Sequence, residues 1–173
     1  MTWSFGTHAR VHWERNGLRI VCADDTHPLW YELAAYLGDA FDPALCHGKD
    51  AAVNADAAQY GTPDAFYAHT QRYLYHLTAY YLEQWKQPAY AWVHLLGNLR
   101  TLRILDYGCG IGCDGVAFLE AGYKVSFADV PGESLSYLRW RLQHRMYLAA
   151  PVYVLPTEIP SHDVVWCMDT LEH

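Results

Sequence analysis

Residues 104–115 read Ile104-Leu105-Asp106-Tyr107-Gly108-Cys109-Gly110-Ile111-Gly112-Cys113-Asp114-Gly115. A short apolar run closes on an acid, glycines follow at alternate positions, and helix-forming residues come next. Glycine permits a tight turn and a close approach of backbone to ligand. The helix start beyond it offers unpaired N–H groups at the crevice where strand ends meet ligands. Working outward, 103–106 reads as a strand and 114–121 as a helix stopped by Gly122. Residues 124–128 form a second strand ending at Asp129, 131–148 a helix, 151–155 a third strand and 163–168 a fourth. The order β-α-β-α-β-loop-β predicts an α/β fold with a parallel, doubly wound sheet. The link over 156–162 is too short for a helical crossover, which needs a dozen or more residues. It is therefore expected to cross in extended form.

Two readings of the glycines compete. Gly110, Gly112 and Gly115 fit a dinucleotide fingerprint, and Asp129 falls about twenty residues past Gly110, where a ribose-binding acid is expected. That reading implies NAD and an oxidoreductase. The other takes Asp106, Gly108, Gly110 and Gly112 as one motif. An acid at the end of the first strand suits a cationic, amino-acid-bearing ligand better than a pyrophosphate. The dinucleotide reading also puts its first glycine late, four residues past the strand.

The second reading resembles the first motif of the class I S-adenosylmethionine-dependent methyltransferases, an acid followed by G-x-G-x-G. A second stretch, Asp163-Val164-Val165-Trp166-Cys167-Met168-Asp169-Thr170-Leu171-Glu172-His173, looks like that family's fourth strand and its Asp-Val-Leu-Glu-His ending, with Thr170 in place of Val. The resemblance covers 103–173 and implies a Rossmann-like, partly parallel sheet with S-adenosyl-L-methionine as cofactor. It implies Asp106 near the methionine ammonium. Gly108, Cys109, Gly110 and Gly112 would form the loop passing the methionine and ribose. Asp129 would bind the ribose hydroxyls, Val130 would sit against the adenine, and Asp169 would face the meeting point of cofactor and acceptor. The other roles for Asp129 and Asp169 are helix capping or loop solvation. His173 occupies a position where the family often carries His without a proton transfer. No catalytic residue is assigned.

The family's sheet has seven strands and this sequence stops just after the fourth. The resemblance therefore suggests an incomplete domain whose fourth strand is an exposed edge, a position prone to pairing with other chains. The partner expected there is a second copy or a completing polypeptide. A catalytically inactive cofactor-binding or interaction module is the alternative from a different functional class.

Residues 1–100 read as an N-terminal cap before the 101–173 domain. Asn16-Gly17 is a hairpin turn signal within 9–23. Helices are expected over 28–41, 62–87 and 89–99, the second opened by Thr62 as N-cap and Pro63 in its first turn. Phe66, Tyr67, Tyr73, Leu74, Leu77, Tyr80, Tyr81 and Trp85 make a broad aromatic stripe, read as core packing in part and as a substrate wall in part.

The chain has 173 residues, 52% of them hydrophobic and 18% charged, which disfavours disorder. Its net charge of −7 makes a poor polyanion binder, so a small-molecule acceptor is expected rather than nucleic acid. No uncharged run reaches the roughly 18 residues of a membrane helix, and the first residues lack a signal-peptide pattern. Five cysteines without a C-x-x-C pair point to free thiols and a cytoplasmic location. His8/His12 and Cys109/Cys113 have ligand-like spacing but no convergent geometry, so no metal site is expected.

Overall fold

A computed structural model describes residues 28–46, 55–81, 101–168 and 170. The hairpin expected over 9–23, the helix over 89–99, Trp85, Asp169 and His173 lie outside the described residues. The helices are α1 (Pro28–Leu37), α2 (Pro63–His69), α3 (Arg72–Tyr81), α4 (Cys113–Glu120) and α5 (Glu133–His144), and the strands are β1 (Arg103–Tyr107), β2 (Lys124–Asp129), β3 (Val152–Val154) and β4 (Val164–Trp166).

The strands form one parallel sheet in the order β3-β2-β1-β4, with Ile104 aligned to Val125 on one side and Val164 on the other. The path β1–α4–β2–α5–β3 steps twice in the same direction. Right-handed crossovers taken that way put both helices on one face of the sheet. Ile104, Val125 and Phe127 pack there against Val116 and Phe118 of α4 and Leu135, Leu138 and Leu142 of α5. Side chains alternate along a strand, so Leu105 and Val165 turn to the other face, where Val165 is 60% exposed. The parallel α/β sheet is the one that the sequence pattern predicts, and its arrangement is the Rossmann-like one that the resemblance implies. Residues 155–163 carry neither helix nor strand and join β3 and β4 at opposite edges. β4 is fixed at both ends: Asp163 accepts from the Arg103 backbone N–H at 2.8 Å and donates its own N–H to Arg103 O at 2.9 Å, and the Trp166 indole donates to Asp114 at 2.8 Å.

Gly115 lets α4 lie close on the sheet. A Cβ there would collide with the Phe127 ring and stand 2.7 Å from Asp106 Oδ2. Overpacking of this kind costs about 1–3 kcal/mol. Gly115→Ala is expected to lower the urea midpoint without changing the slope of the transition.

In its described part, 62–81, the helix expected over 62–87 is two helices. Thr62 caps α2 as predicted, its hydroxyl accepting from the Ala65 N–H at 3.2 Å. The break falls at Thr70, which is extended (φ −85°, ψ 124°) while its N–H still bonds to Phe66 O. Its buried hydroxyl donates to Asp56 and accepts the Arg72 N–H at 3.2 Å. One residue thus ends α2 and caps α3, and the tertiary bond to Asp56 holds it out of the helix. At Gly38, which takes φ +55°, helix α1 tightens into a 3-10 turn over Gly38–Ala40, so the helical stretch expected over 28–41 is α-helix only as far as Leu37. Leu29, Trp30 and Leu33 of α1 and Leu74 and Tyr75 of α3 share a core with Ile111, Cys113 and Tyr137. The N-terminal helices are therefore packed directly on the glycine loop and α5.

Candidate functional site

The loop between β1 and α4 is built on three left-handed glycines: Gly108, Gly110 and Gly112 have φ of +67°, +52° and +70°. At Gly112 a Cβ would also collide with the end of the Leu138 side chain of α5. Gly108 and Cys109 both donate their N–H to Ala128 O, at 2.8 and 3.2 Å, and Gly112 N–H closes a turn onto Cys109 O at 2.7 Å. The loop is thereby hung from the end of β2. Thr170 packs over Gly108, so close that a Cβ on the glycine could not be accommodated.

Asp129 closes the front of the loop. Its Oδ2 accepts the Gly110 N–H at 2.5 Å and its Oδ1 accepts the Val130 N–H at 2.7 Å. Burial raises its pKa above the ordinary aspartate value, and the two backbone N–H groups oppose that rise. Val130 follows it, half-exposed at the mouth. Asp106 is buried and turned beneath the loop, accepting the Gly115 N–H at 2.9 Å. It anchors the first turn of α4 at the positive end of the helix dipole. Burial, with the charges of Asp106 and Asp129, pushes the Cys109 thiol well above its ordinary value. It is a thiol rather than a thiolate nucleophile. The structure thus gathers Asp106, Gly108, Cys109, Gly110, Gly112, Asp129 and Val130 at the carboxyl ends of β1 and β2, while Asp169 is outside the described residues.

Helices α2 and α3 cover this end. Leu77 of α3 stands 3.3 Å from where a Gly110 Cβ would be, and the Tyr67 backbone abuts Gly132. Tyr67 and Tyr73 meet edge to face with centroids 5.2 Å apart. Tyr73, His76 and Tyr80 stack along α3 at 5.6 and 5.9 Å. Burial raises the Tyr73 pKa, and neighbouring Tyr67 and Asp129 add to the rise. Tyr67, Tyr73 and Tyr80 belong to the predicted stripe and His76 does not, whereas Leu74, also of that stripe, and its neighbour Tyr75 are core.

Behind the loop lies a group that sequence reasoning missed. Arg141 of α5, 1% exposed, donates from Nη1 to Ile111 O and to Cys113 Sγ, the latter at 3.4 Å, and from Nε to Glu32 Oε2 of α1 at 3.1 Å. Arg145 bonds Glu32 Oε1 at 2.5 Å and also pairs with Glu120. Burial pushes Glu32 up, but the two guanidinium groups outweigh it and hold the carboxyl below its ordinary value. A charged residue inside the apolar spacing of Tyr137, Leu138 and Leu142 was the available signal.

Among the described residues, no helix is long and apolar enough to cross a membrane, and no group of three or more His, Cys, Asp or Glu could hold a metal ion.

No protein-family model matches the sequence. The chain is 39% identical over 88 residues to the ubiquinone biosynthesis O-methyltransferase of Bordetella avium, covering 47% of this chain and 36% of that protein. It is 40% identical over 82 residues to the enzyme of the same name from Bordetella bronchiseptica, covering 44% and 34%. The chain spans about a third of the length of these curated relatives. Among solved structures, the apo form of the S-adenosylmethionine-dependent methyltransferase SibL aligns with 83% of this chain and 46% of its own, at 22% identity and a TM-score of 0.40. The pyocyanin biosynthetic protein PhzM aligns with 79% and 43%, at 21% identity and a TM-score of 0.41. The sequence relatives of this chain are methyltransferases.

Proposed function

We propose, from the kinship with O-methyltransferases and the form of the glycine loop, that this chain is the cofactor-binding part of an S-adenosylmethionine-dependent methyltransferase acting on a small-molecule hydroxyl. The observation that carries the reading is the left-handed glycine loop joined to Asp129 at the carboxyl ends of β1 and β2. The residues fit the group. The loop offers backbone without Cβ atoms, and a carboxylate stands beside it for a vicinal diol.

In this reading Asp129 accepts the ribose hydroxyls, and half-exposed Val130 covers the adenine. The backbone of Gly108, Cys109, Gly110 and Gly112 runs along the methionine and ribose. Asp106 supplies negative charge beneath the cationic end while anchoring α4. Asp169 faces the acceptor. When bound, S-adenosylmethionine supplies a methyl group already activated on a sulfonium. The chain has only to orient the acceptor oxygen in line and exclude water. Tyr67, Tyr73 and His76 supply an amphipathic wall for a planar acceptor. The N-terminal 1–100 region acts as the cap of the 101–173 domain. The β4 edge, with exposed Val165, is where a second copy or a completing polypeptide would extend the sheet. The proposed compartment is the cytoplasm.

The test is methyl transfer from methyl-labelled S-adenosylmethionine to a panel of phenols and catechols. Label in the organic product, matched one for one by S-adenosylhomocysteine, is the expected result. Binding of S-adenosylhomocysteine without transfer to any hydroxyl would assign the chain to cofactor binding alone.

A further inference from the structure

The glycine loop is held from both sides. In front, Gly110 N–H is fixed by Asp129, and Gly108 and Cys109 by Ala128 O. Behind, the single carbonyl between Gly110 and Gly112 is fixed by Arg141. That guanidinium is placed in turn from three directions. Glu32 bonds its Nε, Cys113 Sγ receives its Nη1 at 3.4 Å, and the Tyr137 ring lies 5.7 Å from its Cζ. Glu32 comes from α1, 109 residues earlier in the chain. A residue of the N-terminal cap is thus one bond removed from the arginine that sets a carbonyl of the loop.

We propose that Glu32 and Arg141 are positioning residues for the cofactor, a buried relay through which docking of α1 fixes the curvature of the glycine loop. The inference rests on the loop being the cofactor site. It goes further by giving the N-terminal cap a part in cofactor affinity that does not depend on contact with the ligand. A guanidinium is needed because one group must bond Glu32 and Ile111 O in diverging directions, which its planar fork does and a lysine ammonium at the end of a flexible stem does not. A glycine-rich segment is where such a brace has most effect, since its backbone has the widest conformational freedom to lose.

The test is amide hydrogen exchange of the full chain, read separately for the 108–113 segment and for β1 and β2, together with S-adenosylhomocysteine titration. The variants are Arg141→Lys, which keeps the charge, and Glu32→Gln, which keeps a hydrogen-bonding oxygen. The relay predicts exchange in 108–113 faster by about tenfold, strand exchange much less changed, and ligand affinity lower by about tenfold in both variants. Exchange that rises equally in loop and strands, or does not rise in the loop, overturns the relay. Because that readout needs no ligand, it decides the relay even if the unsubstituted protein fails to bind S-adenosylhomocysteine. Such a failure would tell instead against the methyltransferase reading. If a variant does not fold, the double variant Glu32→Leu/Arg141→Met replaces it. Apolar substitution of a buried pair often restores stability. The relay predicts that the loop still exchanges fast in that protein, and a slow loop there overturns it.

Discussion

Asp129→Ala is expected to weaken S-adenosylhomocysteine binding by about a hundredfold while the sheet stays folded. The carboxylate joins the loop at the Gly110 N–H, and both its oxygens engage backbone N–H groups. Two hydroxyls donating to it would each contribute about 1.5 kcal/mol or more, as hydrogen bonds to charged groups do. Their joint loss is about a hundredfold in affinity. Asp129→Asn keeps the shape and one acceptor, so a loss nearer tenfold is expected. Circular dichroism on both variants would separate a binding defect from unfolding. Unchanged affinity in the alanine variant would remove Asp129 from the site. The pH dependence follows from burial. The folded pKa is raised above the ordinary 3.8, so the acceptor carboxylate is lost at a higher pH than an exposed aspartate would be. Affinity should fall on acidification through that raised value. The sign for stability is opposite. A raised carboxyl pKa means the folded state holds the proton more tightly, so this group's contribution is greatest at low pH and declines as pH rises.

Arg141→Met is expected to be the most destabilising single substitution on the α5 helix. It leaves Glu32 buried with half its compensation and Ile111 O without its guanidinium partner. Breaking a buried pair from one side costs about 3–5 kcal/mol, against a total of about 5–15 kcal/mol for a domain. Chemical denaturation should show the midpoint shifted strongly downward. A shift within about 0.5 kcal/mol would mean that the pair is not buried in solution. Glu32 gives the same network a pH signature. Its folded pKa is depressed, so its contribution is present above the unfolded value of about 4.5 and is lost as pH falls through the folded one.

The strand, glycine loop, helix and second strand were legible because each is signalled locally. Apolar runs of strand length, glycines where φ must be positive, and an acid at a strand end all lie within about ten residues of one another. Gly115 shows the limit of spacing alone. In sequence it completes a dinucleotide fingerprint, whereas in the structure it is the point where α4 touches Phe127. The break at Thr70 was not legible because threonine is compatible with a helix, and only the tertiary bond to Asp56 takes it out of one. The Glu32–Arg141 pair was hidden for the same reason at longer range: no local pattern joins residues 109 apart. Of the aromatic stripe, Phe66 and Leu74 are core as expected, while spacing along one helix could not place the others because the chain breaks at Thr70 between α2 and α3.

Calorimetric titration of the 173-residue chain with S-adenosylhomocysteine, with NAD in parallel, decides which cofactor the glycine loop binds. The expected result is saturable one-to-one binding of S-adenosylhomocysteine, weakened about a hundredfold in Asp129→Ala, and no heat of binding with NAD. Saturable binding of NAD, or a folded and monodisperse protein that binds neither, would contradict it.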